Sequence, residues 1–336
     1  MGVSGCSFEH HERTKLMNRR EFLAGSAAIG AATMCSSASA QSSAEGCAMP
    51  KLAPPKQPAK LNLSLQWGTI PGQEINEKLD YMEKYGFGAF EIPSGDWLFK
   101  NGEALKKAMS NRKLFIATAC GPSNFSYGEK EKREAEVQKF LPQLEVLGML
   151  GSVGLILCPA RGYGQMGMGF KELRDDFVTN TGKRLADKAA QCGTAIVLEP
   201  LCHQETPFLK QVADGAAMAR DMESPGAKVM GDFWHMNREE TSFFGALMSG
   251  GDRLVHIHIA SLKNRKVPGT DGDADNYVDG FKALKLLGYQ GAVSFEGGFP
   301  SKGKDDKGKP IGLNAAERHD LIMKMCELLR AQWAQA

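Results

Sequence analysis

The sequence predicts a (β/α)8 barrel over about residues 61–336. Three observations lead there. Short apolar runs rich in β-branched residues recur eight times, each the length of a buried parallel strand. Between them lie longer segments with apolar residues at helical spacing, as at Leu79, Met82 and Tyr85. Glycine closes several of these, at Gly86, Gly148, Gly193 and Gly288. Eight such alternations over about 275 residues point to a closed barrel in a single domain.

In chain order, the expected strands are 61–66, 88–92, 114–120, 153–158, 195–199, 228–232, 254–259 and 292–296. The expected helices are 74–85, 102–111, 130–147, 171–191, 208–222, 238–248, 277–287 and 315–333. A doubly wound open sheet is the competing arrangement, and Gly162-Tyr-Gly164-Gln-Met-Gly167 has the spacing of its dinucleotide fingerprint. That stretch follows the fourth strand, and no acidic strand end lies about 20 residues on. It reads instead as a flexible Gly/Met loop over the barrel mouth, a candidate lid.

Residues 1–40 read as an export signal of the twin-arginine type. Arg19 and Arg20 precede an apolar, small-residue stretch from Phe22 to Met34, and Ala38-Ser39-Ala40 offers a cleavage site. A Ser-, Ala- and Pro-rich linker follows over 41–60. The expected location is therefore the periplasm, with no membrane attachment after cleavage. The chain's 336 residues, 42% hydrophobic and 24% charged with a net charge of +2, give no argument for nucleic acid or an anionic membrane as partner. Of eight cysteines, none forms a C-x-x-C pair, so buried free thiols are expected rather than a disulfide framework or a zinc-thiolate site. The basic run from Lys302 to Lys309 is interrupted by Asp305 and Asp306 and reads as a solvated loop.

Barrels of this kind gather function at the C-terminal ends of their strands. Those ends here are Trp67, Glu91, Cys120, Cys158, Glu199, Asp232, His258 and Glu296. The last four come from consecutive strands, and all are metal-ligand types. A carboxylate closing a buried strand is costly unless paired or bound to a cation. In Leu254-Val-His256-Ile-His258-Ile, period two puts both histidines on one face, roughly 6.6 Å apart, with His258 at the mouth and His256 a layer deeper. Glu199, Asp232, His258 and Glu296 thus form the candidate metal set. Three carboxylates and one imidazole suit Mn²⁺, Co²⁺ or Mg²⁺ better than structural zinc. His235 is expected at the start of the loop after Asp232.

These residues carry a resemblance. Glu199-Pro-Leu-x-x-x-Glu205-Thr, Asp232-x-x-His235-Met-Asn-x-Glu-Glu, His256-x-His258 and Asn264-Arg265-x-Val-Pro-Gly are similar to motifs of the xylose-isomerase-like TIM barrels of the sugar phosphate isomerase/epimerase family. Ketose 3-epimerases are the closest group and hydroxypyruvate isomerase the second. The resemblance implies one divalent cation on Glu199, Asp232, His258 and Glu296. It implies Glu199 and Glu296 as acid/base pair, and substrate contacts from Glu205, His235 and Arg265. The implied reaction is a sugar isomerisation or epimerisation by proton abstraction next to a carbonyl, through an enediolate. The implied partner is a small sugar or hydroxy-keto acid, and the implied assembly a homodimer or homotetramer. Two departures bear on the substrate: Ala260-Ser261 replaces the Gly-Glu pair of those epimerases, and Arg265 is one residue further from His258. Readings carried as alternatives are a hydroxypyruvate-isomerase-like aldose–ketose isomerase, a three-zinc hydrolase on the same barrel, and a non-catalytic sugar- or metal-binding protein.

Overall fold

The structure, a computed structural model, describes residues 57–336. The expected signal and most of the expected linker lie outside the described residues. Eight strands, β1 (Asn62–Gln66), β2 (Ala89–Pro93), β3 (Phe115–Cys120), β4 (Gly154–Leu157), β5 (Ile196–Leu198), β6 (Ala227–Asp232), β7 (Leu254–Ile259) and β8 (Ala292–Phe295), close in sequential order. All pairs are parallel, and β1 closes the ring by pairing Leu65 with Phe295. This is the expected (β/α)8 barrel, with strand limits within two residues of the sequence reading.

Period two divides each strand between two packing layers. Outward residues such as Leu65, Phe90, Leu155, Leu198, Val229, Ile257 and Phe295 join one continuous core under the helices. Inward residues fill the lumen in smaller groups: Ala89, Ala117 and Ala292 in one, Ile156, Ala195, Val197 and Met230 in another. Two irregularities adjust this pattern. Between β2 and β3, Phe90 pairs with Ile116 but Ile92 with Ala119, so one extra β3 residue is accommodated. Between β6 and β7 a shift after Val229 brings Val255 against the group around Met230.

The helices are α1 (Ile75–Lys84), α2 (Asp96–Met109), α3 (Lys130–Leu150), α4 (Phe170–Asp176), α5 (Gly182–Cys192), α6 (Val212–Asp221), α7 (Phe233–Glu239), α8 (Phe243–Gly250), α9 (Val278–Leu286) and α10 (Ala315–Gln335). Four depart from expectation: the helix expected over 208–222 begins only at Val212, and three others differ more. Helix α2 starts six residues early, because Gly95, at φ 69°, lets the chain turn directly from β2 into the helix. The expected helix 171–191 is divided by a π-helical turn, Phe177–Thr181, between α4 and α5. The expected helix 238–248 is two helices, and the first begins immediately after β6. The Asp232 side chain accepts hydrogen bonds from the Trp234 and His235 backbone N–H groups, an N-cap that starts α7 at once. His235 therefore lies on a helix, not in a loop.

All five cysteines among the described residues are free thiols, as the spacing suggested. Residues 301–312 are exposed, in keeping with a solvated loop. No helix among the described residues is long and apolar enough to cross a membrane. Helices α3 and α5 approach closely where Gly148 faces the end of α5; a Cβ there would sit 2.1 Å from the Cys192 carbonyl oxygen. Gly148→Ala should therefore cost roughly 1–3 kcal/mol by forcing the two helices apart, read as a lowered Tm in thermal unfolding.

Candidate active site

Strands β5 to β8 deliver Glu199, Asp232, His258 and Glu296 to one point at the barrel mouth. One ligand atom from each lies within 4.8 Å of the others. The His258 Nδ1 is 3.4 Å from Glu199 Oε1, 3.3 Å from Glu296 Oε2 and 4.0 Å from Asp232 Oδ2. Glu199, Asp232 and His258 are buried, and Glu296 is at the rim. The three buried ones are each aimed by a separate local device. Asp232 spends Oδ1 on the α7 N-cap, which leaves Oδ2 for the centre. The Cys158 thiol donates to Glu199 Oε2, leaving Oε1. The His258 ring turns its Nε2 to Glu91 Oε1 at 3.0 Å, leaving Nδ1.

The remaining atoms, Glu199 Oε1, Asp232 Oδ2 and His258 Nδ1, are buried and have no hydrogen-bond partner. An unsatisfied buried polar atom costs about 1–3 kcal/mol, more when charged. Three such atoms aimed at one space, beside a fourth carboxylate, fit a single oxygen- and imidazole-liganded divalent cation. The donor set thus agrees with the group expected from the sequence.

Electrostatics bear the same mark. Burial, and then the Glu296 charge, pushes the Asp232 carboxyl up to about 7. Burial would also raise Glu296, but the His258 imidazole and the Arg265 guanidinium outweigh it and hold it well below the usual carboxylate range. His258 is pulled up by Glu91 and Glu296 against the effect of burial.

A second group borders this centre. Arg265 Nη2 donates to Glu296 Oε2 at 2.7 Å and lies 3.6 Å from Asp232 Oδ2, while Nη1 donates to Glu205 Oε1 at 2.8 Å. Arg265 has φ 51°, a conformation disfavoured for a non-glycine residue, and its guanidinium stacks 4.5 Å over Trp234. The His235 Nδ1 accepts from the Cys202 backbone N–H at 2.9 Å, so in the neutral ring the hydrogen is on Nε2, which faces Arg265 at 3.3 Å. Burial and the Arg265 charge lower His235 to about 3, so it is a neutral donor. A cavity of about 320 Å³ adjoins Glu296 and runs to Gln66, Trp67 and Cys120. The glycine-rich loop is tied down, with Gly162 N donating to the Glu205 carbonyl and Tyr163 Oη to the His203 carbonyl.

A profile of the family described as "Xylose isomerase-like TIM barrel" matches residues 79–325. The chain belongs to this family. It is 31% identical over 233 residues to the 3-dehydro-D-guloside 4-epimerase of Escherichia coli (strain K12), a match covering 67% of this chain and 87% of that protein. It is 33% identical over 179 residues to the L-ribulose 3-epimerase of Methylomonas sp. (strain DH-1), covering 53% and 59%. Among solved structures, the apo 3-keto-D-glucoside 4-epimerase from E. coli superposes with a TM-score of 0.67 at 27% identity, covering 80% of this chain and all of that one. A D-psicose 3-epimerase from Clostridium cellulolyticum H10 shares the fold, with a TM-score of 0.69 at 22% identity.

Within this xylose isomerase-like barrel, all seven residues singled out from the sequence come together around one mouth. His256 lies beneath His258, as its spacing suggested. His203 pairs with Glu239 and His319 with Tyr81, both apart from the four-residue centre. Sequence reasoning missed Glu91, which contacts both strand-β7 histidines, although a lone carboxylate inside the apolar β2 run was a usable signal. It also missed Cys158 as the holder of Glu199.

The raised Asp232 carboxyl predicts a pH effect on the metal-free protein. A carboxyl whose folded pKa exceeds its unfolded value costs stability as pH rises from about 4 toward 7, by about 1.4 kcal/mol per unit of displacement. Asp232→Asn keeps the N-cap acceptor and removes the charge. In chelator, this variant should melt above the wild type at pH 8, with the gap closing toward pH 4.

Proposed function

We propose that the protein, a sugar isomerase or epimerase by its family relationships, uses one divalent cation and two glutamates to move a proton on the carbon beside a ketose carbonyl. The observation that carries this reading is the convergence of three unpartnered buried ligand atoms with Glu296, beneath a rim of Arg265, His235 and Glu205. Glu199, Asp232, His258 and Glu296 would hold the cation. Once bound, it would supply Lewis-acid polarisation of the carbonyl and its neighbouring hydroxyl.

The chain's own residues account for the rest. One of Glu199 and Glu296 removes the carbon-bound proton, and the electron pair passes into the carbonyl to give an enediolate. The other returns a proton to the opposite face of that carbon, which inverts its configuration. Arg265 Nη2, already on Glu296 Oε2, and the His235 Nε2–H supply fixed donors for substrate oxygens. Glu205 holds the other end of the Arg265 fork and so sets its direction.

The relatives reported above are named as epimerases, which favours epimerisation over aldose–ketose isomerisation. The E. coli relative is named for a keto-sugar glycoside. The cavity beyond Glu296, with Trp67 in its wall, offers room past the reacting carbon. An unphosphorylated keto-sugar or its glycoside is the substrate class we assign. That fits export by the Arg19-Arg20 signal, a reading tested by Arg19→Lys with Arg20→Lys, which should replace mature protein in the periplasmic fraction with uncleaved precursor in the cytoplasmic one.

The mechanism is tested by incubating Mn²⁺-loaded protein with a panel of free keto-sugars in D₂O. Deuterium should enter one carbon beside the carbonyl, and Glu296→Gln should slow that exchange by at least about 10²-fold while circular dichroism stays that of the wild type. Exchange at the wild-type rate in Glu296→Gln would show that the two-glutamate mechanism is wrong.

A further inference from the structure

We infer that Glu91 is a positioning residue that holds His258 with its hydrogen on Nε2, so that the Nδ1 lone pair faces the four-residue centre. This rests on the reading of Glu199, Asp232, His258 and Glu296 as cation ligands. Glu91 is buried in the middle of β2, across the lumen from β7. One of its oxygens, Oε1, lies 3.0 Å from His258 Nε2 and 3.0 Å from His256 Nε2. An ionised carboxylate can only accept hydrogen bonds, so both Nε2 atoms must carry hydrogens. In the neutral ring, the form that can bind a cation, this leaves Nδ1 bare and pointed between Glu199 Oε1 and Glu296 Oε2.

The alternative tautomer is what Glu91 excludes. With its hydrogen on Nδ1, His258 would donate to Glu199 or Glu296, at 3.4 and 3.3 Å, and its lone pair would be turned away from the centre. That state satisfies two orphaned atoms and competes directly with cation binding. Glu91 makes it costly, because Nε2 would then present a lone pair to a buried carboxylate. His256 completes the device from below. Its ring stands edge-on to His258, at 85° with centroids 4.9 Å apart, and its own hydrogen bond fixes the same Glu91 oxygen. Gln66 Nε2 reaches the other oxygen at 3.5 Å. The H-x-H pattern thus has two unlike members: one histidine for the centre, and one to hold the carboxylate that orients it. Carboxylate partners of this kind raise imidazole basicity and typically change metal affinity by 10–100-fold when removed.

Glu91 also borders the cavity beside Glu296, so the test must separate orientation from direct proton transfer. Two measurements on Glu91→Ala and Glu91→Gln do this. In ¹⁵N-histidine-labelled protein the wild type should show two downfield, exchange-protected Nε2–H signals, both lost in Glu91→Ala. By calorimetry, the Mn²⁺ dissociation constant should rise about 10–100-fold in Glu91→Ala. It should rise less in Glu91→Gln, whose amide oxygen still accepts. Retention of both signals, or an unchanged Mn²⁺ constant in folded Glu91→Ala, overturns the inference. If Glu91→Ala does not fold, Glu91→Gln decides, and wild-type Mn²⁺ affinity there overturns it. Wild-type affinity in Glu91→Gln with loss of sugar deuterium exchange would also overturn it, by making Glu91 a proton-transfer group. A wild type that binds no Mn²⁺ but loses the Nε2–H signals on substitution would sink the proposed function and leave the tautomer assignment standing.

Discussion

The site is governed by buried negative charge. Three carboxylates from β5, β6 and β8 converge at the barrel mouth with a single imidazole among them, and three of the four ligand atoms find no hydrogen-bond partner. Two like charges about 4 Å apart repel by about 4 kcal/mol at an effective dielectric of 20. His258 and Arg265 offset part of this, while burial and then the Glu296 charge still raise the Asp232 carboxyl. The fold tolerates this arrangement because the core beneath the helices is continuous and apolar. Stability generated in that layer sustains a cluster that by itself is unfavourable.

Three of the four side chains are also held by a second partner, which is how a flexible side chain becomes a fixed one. Asp232 starts helix α7 with one oxygen and faces the centre with the other. That same cap places His235 on the first turn, where its Nε2–H reaches the rim. Glu199 is held by Cys158, and His258 by Glu91. Removing a neighbour should therefore disturb the centre without touching it. The strained backbone at Arg265 belongs to the same economy, with Trp234 on one side and Glu205 and Glu296 on the other fixing the guanidinium.

Much of this was legible from the sequence, for a simple reason. In a barrel of parallel strands, position along the chain maps directly onto height in the lumen, so a polar residue ending an apolar run must lie at the mouth. Glu199, Asp232, His258 and Glu296 obey that rule. The departures are equally physical. His235 was expected in a loop because an N-cap that begins a helix one residue after a strand leaves no turn signal. Glu91 sits in the middle of β2, and its role depends on a partner 167 residues away, which no local pattern reports. The helix over 171–191 keeps its apolar period across Phe177–Thr181, so the π-helical turn within it gave no sequence mark. Cys158 read as a small buried thiol, and the hydrogen bond that makes it matter is tertiary.

The central claim is that these four side chains hold one divalent cation at the barrel mouth. Anomalous diffraction from crystals of the protein grown with Mn²⁺ tests it most directly. One strong peak is expected at about 2.0–2.4 Å from Glu199 Oε1, Asp232 Oδ2, His258 Nδ1 and a Glu296 oxygen. A peak elsewhere in the barrel, or none among these atoms at saturating Mn²⁺, would contradict it.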